Sequence, residues 1–163
     1  MIKVESAIAT LVKNNVEFVI VGGIAITAHG SAYITKDLDF CYLRSKENLK
    51  NIVSALASFK PRPRGFPENL PYIFDETTLQ NATNFTFETE LGDIDLLGEV
   101  AGIGNFVEVE ASSILMDLFD YKVKVLSIEG LILAKRAAGR PKDLLVLPEL
   151  EAMQESLKNQ DAE

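Results

Sequence analysis

An α+β fold in a single domain is what this sequence predicts, with the strands gathered early in the chain and helices dominating its end. Three observations carry that expectation. Short β-branched and aromatic runs alternate with segments whose apolar residues recur at helical spacing. The strand-like runs fall mostly in the first two-thirds of the chain, so a mixed sheet forms before the helical end is reached. With 163 residues, 47% apolar and 25% charged, the chain has the size and composition for one core and is too apolar for disorder. The domain is expected over residues 1–157, followed by a polar C-terminal tail over 158–163.

The elements follow in order. Val4, Ile8, Leu11 and Val12 recur at helical spacing, and Asn14-Asn15 stops them, which predicts an amphipathic helix over 3–14. Glu17-Phe18-Val19-Ile20-Val21 reads as a buried strand ended by Gly22-Gly23. The short apolar run 24–29 reads as a helix that Gly30 can cap. Residues 37–42 alternate as a second strand, and Leu49, Ile52, Val53 and Leu56 mark a helix over 46–58. Pro61, Pro63, Pro67 and Pro71 then describe a stiff, extended connection. Residues 83–88 and 93–97 read as a hairpin through Glu90-Leu91-Gly92, and 122–126 as a further strand. Ser127 can cap a helix reaching about Ala138, and Pro141 can open a last one ending near Leu157.

Composition removes several chemistries. Cys41 is the single cysteine, which excludes an internal disulfide and a cysteine-based zinc site and fits a reducing compartment. His29 is the single histidine, so sites needing two imidazoles are excluded. A formal net charge of −8 argues against broad affinity for duplex nucleic acid, though not against a small anion held locally. Residues 1–20 lack the pattern of a signal peptide, and no apolar run approaches the roughly 18–20 residues that span a bilayer. A cytoplasmic protein is expected.

Three fragments carry chemistry. Gly22-Gly23 lies between a strand and a helix, where glycines allow a polyphosphate to approach the backbone; the plain alternative is a tight turn. Asp37 and Asp39 stand two apart on a strand, so both carboxylates share a face and disfavour each other's ionisation. A divalent cation, with magnesium the oxygen-preferring choice, would remove that penalty; a solvated strand face is the alternative. In Gly92-Asp93-Ile94-Asp95-Leu96-Leu97, Asp95 sits between apolar neighbours, with Asp93 on the same face nearer the turn. A third carboxylate from a neighbouring strand is what a two-metal phosphoryl-transfer site would use, and an exposed acidic hairpin is the alternative.

Together these fragments resemble the nucleotidyltransferase superfamily that includes DNA polymerase β. The resemblance is to its small bacterial and archaeal branch of minimal nucleotidyltransferases and toxin–antitoxin nucleotidyltransferases. It spans about residues 16–150 and rests on Val21-Gly22-Gly23-Ile24-Ala25, His29-Gly30, Thr35-Lys36-Asp37-Leu38-Asp39 and 92–97. It extends to Lys135-Arg136-Ala137-Ala138-Gly139-Arg140-Pro141-Lys142-Asp143, similar to a closing motif of that branch. The resemblance implies a nucleotidyltransferase fold, a small mixed sheet flanked by helices. It implies that Asp37, Asp39 and Asp95 are catalytic and ligate magnesium, two ions in all, while Gly22 and Gly23 bind the phosphates of a nucleoside triphosphate, ATP first among them. The acid between two apolar residues favours Asp95 over Asp93 for the third position. Where similar sequences often carry Arg, this chain has Tyr33.

Lys135 has Leu131, Ile132 and Ala138 at helical neighbour positions, so it either snorkels to water or reaches a buried anion; the functional reading makes it a triphosphate contact. Arg140 and Asp143 are expected to pair or to cap the last helix. His29 is expected to meet last-turn carbonyls, Cys41 to be core, and the basic stretch 60–64 to be a solvated connection or a contact for an anionic acceptor. The activity implied is transfer of a nucleoside monophosphate to an acceptor hydroxyl on protein, RNA end or small molecule, with no membrane involved. The alternatives are a non-catalytic nucleotide- or partner-binding module, such as a toxin–antitoxin component meeting its antitoxin or a second copy, and a fold relative that has lost ligand binding.

Overall fold

Buried apolar stripes and short β-branched runs set the order of elements, and the computed structural model describes residues 1–161. The chain opens with α1 (Val4–Lys13), which buries Ala7, Ile8 and Leu11, followed by the wholly buried strand β1 (Phe18–Val21). Next come α2 (Gly22–Ala28), β2 (Asp37–Tyr42) and α3 (Lys46–Leu56), the last capped by the Ser45 hydroxyl accepting from the Asn48 N–H. A 3-10 turn (Ala57–Phe59) leads to a two-residue strand β3 (Arg62–Pro63), then α4 (Glu76–Gln80) and the antiparallel pair β4 (Asn84–Thr89) and β5 (Gly92–Leu97). The small β6 (Glu99–Val100) and β7 (Gly104–Asn105), α5 (Phe106–Ala111), β8 (Ser113–Leu118) and β9 (Tyr121–Leu126) follow. Two helices, α6 (Ile128–Ala138) and α7 (Pro141–Asp161), close the chain.

The main sheet has seven strands in the order β3-β4-β5-β2-β1-β9-β8, and β6 with β7 forms a separate ribbon. It is mixed, because β2 runs parallel to β5 and β1 parallel to β9 while the remaining neighbours are antiparallel. Buried Leu38, Phe40, Ile94 and Leu96 occupy one face of its centre, with Phe18 edge-on to Phe40. Since side chains alternate across a strand, Asp37, Asp39, Asp93 and Asp95 emerge on the other face. Sliding either strand by one residue would drive carboxylates into the core, so the register is strongly specified.

Several expected elements differ. The Pro-rich connection contains β3, tolerated because β3 is an edge strand and its Pro63 nitrogen lacks only a solvent-side partner. The short α4, α5 and the strand β8 lie outside the expected set; β8 is a half-exposed hairpin partner of β9, and Ile114, Leu115 and Leu118 give it no clean alternation. The last helix runs to Asp161 rather than Leu157, through Pro148, which leaves the Leu144 carbonyl without its helical donor. The expected polar tail is therefore helical over 158–161, and residues 162–163 lie outside the described residues. Among the described residues, no helix is long and apolar enough to cross a membrane.

Candidate active site

Parallel pairing of β2 with β5 matches Asp37 with Asp93 and Asp39 with Asp95. One oxygen each from Asp37, Asp39 and Asp95 lie within 4.8 Å of one another. The convergence expected of two distant segments is thus met in the geometry. Asp93 stands beside this group but outside it, half-exposed, its Oδ2 3.4 Å from the Arg64 Nε.

The diglycine corner adjoins the three carboxylates because Val21 pairs with Asp39 across β1 and β2. Gly22 has φ +67°, a left-handed conformation, and a Cβ there would run into the Asp39 carboxylate. A Cβ on Gly23 would meet the Thr35 side chain. Both glycines are needed for the loop before β2 and the Asp39 carboxylate to close against the start of α2.

Asp39 bears the electrostatic load. Its Oδ1 is buried and has no hydrogen-bond partner among the described residues. Burial, then the Asp95 and Asp37 carboxylates, push its pKa up to about 7, while Lys135 opposes them. Asp95 is also raised, since burial outweighs the Arg64 guanidinium, whose Nη2 donates to Asp95 Oδ1 at 2.8 Å. Three oxygen donors, an unsatisfied buried oxygen and mutual repulsion together fit a hard divalent cation such as magnesium.

Lys135, on α6, keeps only 16% of its side chain exposed and reaches a buried anion rather than water. That anion belongs to the protein: the Nζ is 3.2 Å from Asp143 Oδ1, and Asp143 is wholly buried. The Arg140 Nε lies 2.6 Å from the other Asp143 oxygen, so the expected Arg140–Asp143 pair forms. Lys135 nevertheless lines a cavity of about 250 Å³ that also touches Gly22 and Asp39 and is walled by Val100, Leu131 and Ala134.

His29 meets the last-turn carbonyls of Ala25 and Ile26 through its main-chain N–H alone; its ring Nε2 lies 2.8 Å from the Leu126 carbonyl on β9 and ties α2 to the sheet. Cys41 is core, its thiol pushed up to about 12 by burial. Arg64 is the residue that sequence reasoning left out of the site. Its only sequence signal is the basic stretch 60–64 in an otherwise acidic chain. The backbone places it, through an Arg64 N–H bond to the Thr86 carbonyl at 2.9 Å.

No protein-family model matches the sequence. No curated protein matches it by sequence either. Solved structures do match by fold. The lincosamide antibiotic adenylyltransferase LnuA, in its lincomycin-bound form, aligns with a TM-score of 0.62 at 14% identity, over 94% of this chain and 98% of its own. ANT(2")-Ia in complex with adenylyl-2"-tobramycin aligns with a TM-score of 0.53 at 16% identity, over 96% of this chain and 95% of its own. An antigenic nucleotidyltransferase-like protein from Paracoccidioides brasiliensis aligns with a TM-score of 0.53 at 14% identity, over 94% of this chain and 77% of its own. The likeness is one of fold, and this chain has the nucleotidyltransferase fold.

Proposed function

We propose that this chain, built on the nucleotidyltransferase fold, moves a nucleoside monophosphate from a nucleoside triphosphate, ATP first among them, to an acceptor hydroxyl. The observation that carries the reading is the meeting of Asp37, Asp39 and Asp95 beside the diglycine corner, with a buried Asp39 oxygen left unsatisfied. Magnesium held by these three aspartates would neutralise phosphate charge and lower the pKa of the attacking hydroxyl. The acceptor oxygen bonds to the α-phosphorus, the bond to the β-phosphate breaks, and pyrophosphate leaves. Asp95, on the same sheet face as Asp37 and Asp39, accepts the hydroxyl proton. Gly22 and Gly23 let the triphosphate approach the main chain, and Lys135, steadied by Asp143, faces the same cavity with a positive charge. Positioning and charge neutralisation suffice for this chemistry, so no nucleophilic side chain is required.

Two of the structurally similar proteins are crystallised with lincomycin or an adenylylated tobramycin, which supports a small-molecule acceptor ahead of a protein or an RNA end. Specificity lives in the loops around the sheet, so the choice of small molecule would be made there.

The test is thermal melting with ATP, with and without magnesium, on the wild type and on Asp37→Ala/Asp39→Ala, followed by pyrophosphate release with candidate acceptors. A shift that needs both magnesium and the two aspartates, together with pyrophosphate release, is expected. A shift without pyrophosphate would point to a nucleotide-binding module. No shift in any combination would sink both readings.

A further inference from the structure

Arg64 stands on one carboxylate of the proposed metal group, Asp95, and on its neighbour Asp93. Its Nη2 is 2.8 Å from Asp95 Oδ1 and its Nε 3.4 Å from Asp93 Oδ2, with the side chain 34% exposed. Two features hold it there. Its main-chain N–H is tied to Thr86 on β4, and the following Gly65, at φ +79°, turns the chain away while donating its N–H to Glu88 Oε1 at 3.2 Å. Arg62, two residues earlier, is engaged elsewhere, donating to the Pro67 and Leu70 carbonyls. A guanidinium and a divalent cation held on one carboxylate repel each other, so each weakens the other's hold on Asp95. Asp93, however, lies outside the group of three and gives Arg64 a second partner to fall back on.

We propose that Arg64 is the built-in counter-cation of the metal-free site, holding Asp95 until a divalent ion takes it and then resting on Asp93 alone. The proposal rests on the metal reading given under Proposed function. Arg64 is thus a positioning residue: it offsets repulsion among the aspartates in the absence of metal and sets, by competition, the metal concentration at which the site fills. Part of its side chain is exposed, so the exchange moves a side chain without moving the backbone.

The experiment titrates the nucleotide-free, full chain with magnesium chloride in a calorimeter and measures melting in EDTA and in saturating magnesium, for the wild type, Arg64→Gln and Arg64→Lys. Arg64→Gln is expected to bind magnesium about three- to fivefold more tightly, the size of an exposed ion pair removed from the competition. It is also expected to melt below the wild type in EDTA, with the gap closing in magnesium. Arg64→Lys, which keeps the charge, is expected to return both readouts towards the wild type and serves as the test if the Gln variant does not fold in EDTA. Equal or weaker magnesium binding by Arg64→Gln, with the wild type binding normally, overturns the counter-cation role alone, as does a Lys variant binding more tightly than the wild type. A wild type with no saturable magnesium response overturns the metal reading, and this inference with it.

Discussion

Asp39 combines three circumstances that each disfavour a carboxylate: burial, two carboxylate neighbours, and an oxygen without a donor. Replacing it by its neutral isostere removes the repulsion and the metal site together. Asp39→Asn is therefore expected to melt several degrees above the wild type in EDTA at pH 8, where the native carboxyl is ionised. It is also expected to lose the magnesium response and to lower pyrophosphate release by about a thousandfold or more. A lower melting temperature in EDTA would show that Asp39 is structural. Gly22 acts on the same atoms from the other side. Gly22→Ala puts a side chain at a positive φ and against the Asp39 carboxylate, so we expect a loss of about 1–3 kcal/mol in urea unfolding. Unchanged stability there would mean that the corner is looser than its geometry shows.

At the scale of elements, the junction of α6 and α7 depends on Asp143. Gly139, at φ +64°, ends α6, and Asp143 reaches back from the first turn of α7 to Lys135 and Arg140. Burial alone would raise the Asp143 pKa, but hydrogen bonds and charge from Arg140 and Lys135 outweigh it and hold the carboxyl below its ordinary range. A carboxylate depressed in the folded state contributes stability that is fully present above the ordinary aspartate pKa. That stability is lost as the pH falls through the depressed one. Stability measured from pH 5 downward should accordingly fall more steeply in the wild type than in Asp143→Asn. Asp143→Ala should cost about 3 kcal/mol at neutral pH, mostly through the nearly buried Lys135, since Arg140 is well solvated. Identical acid profiles for the wild type and Asp143→Asn would remove this pair from the account.

At the scale of the whole molecule, the three carboxylates come from β2 and β5, parallel neighbours with α3, α4, β3 and β4 between them in the chain. The unfolded chain has no such arrangement, so a metal that binds here binds only the folded state. Magnesium at a hundred times its dissociation constant should stabilise by about 2.7 kcal/mol. For a chain of this length that corresponds to a rise of about 5–10 °C in melting temperature, measurable by scanning calorimetry against an EDTA control. A shift equally large in Asp37→Ala/Asp39→Ala would place the ion elsewhere.

Much of this arrangement was legible in the residues. The alternation Asp37-Leu38-Asp39-Phe40 encodes which face is core, and Ile94-Asp95-Leu96 encodes the same for β5, so each carboxylate's direction follows from local chemistry. The diglycine after a buried strand announced a tight corner by the same logic. Strand β8 and the short α4 and α5 were not legible, because half-buried segments without a clean period are held by neighbours rather than by their own pattern. The partners of the long cations were equally hidden. Lys135 left water and an anion both open, and nothing in 60–64 spoke of Asp95. By itself, then, the sequence determined the elements with a clean period, the faces of their side chains and the acidic chemistry they carry, since those depend on neighbours within a few residues. Only the tertiary structure decided that β2 lies beside β5, that Lys135 meets Asp143 and that Arg64 covers Asp95. Such choices are made by packing between segments far apart in the chain, where no local period carries the information.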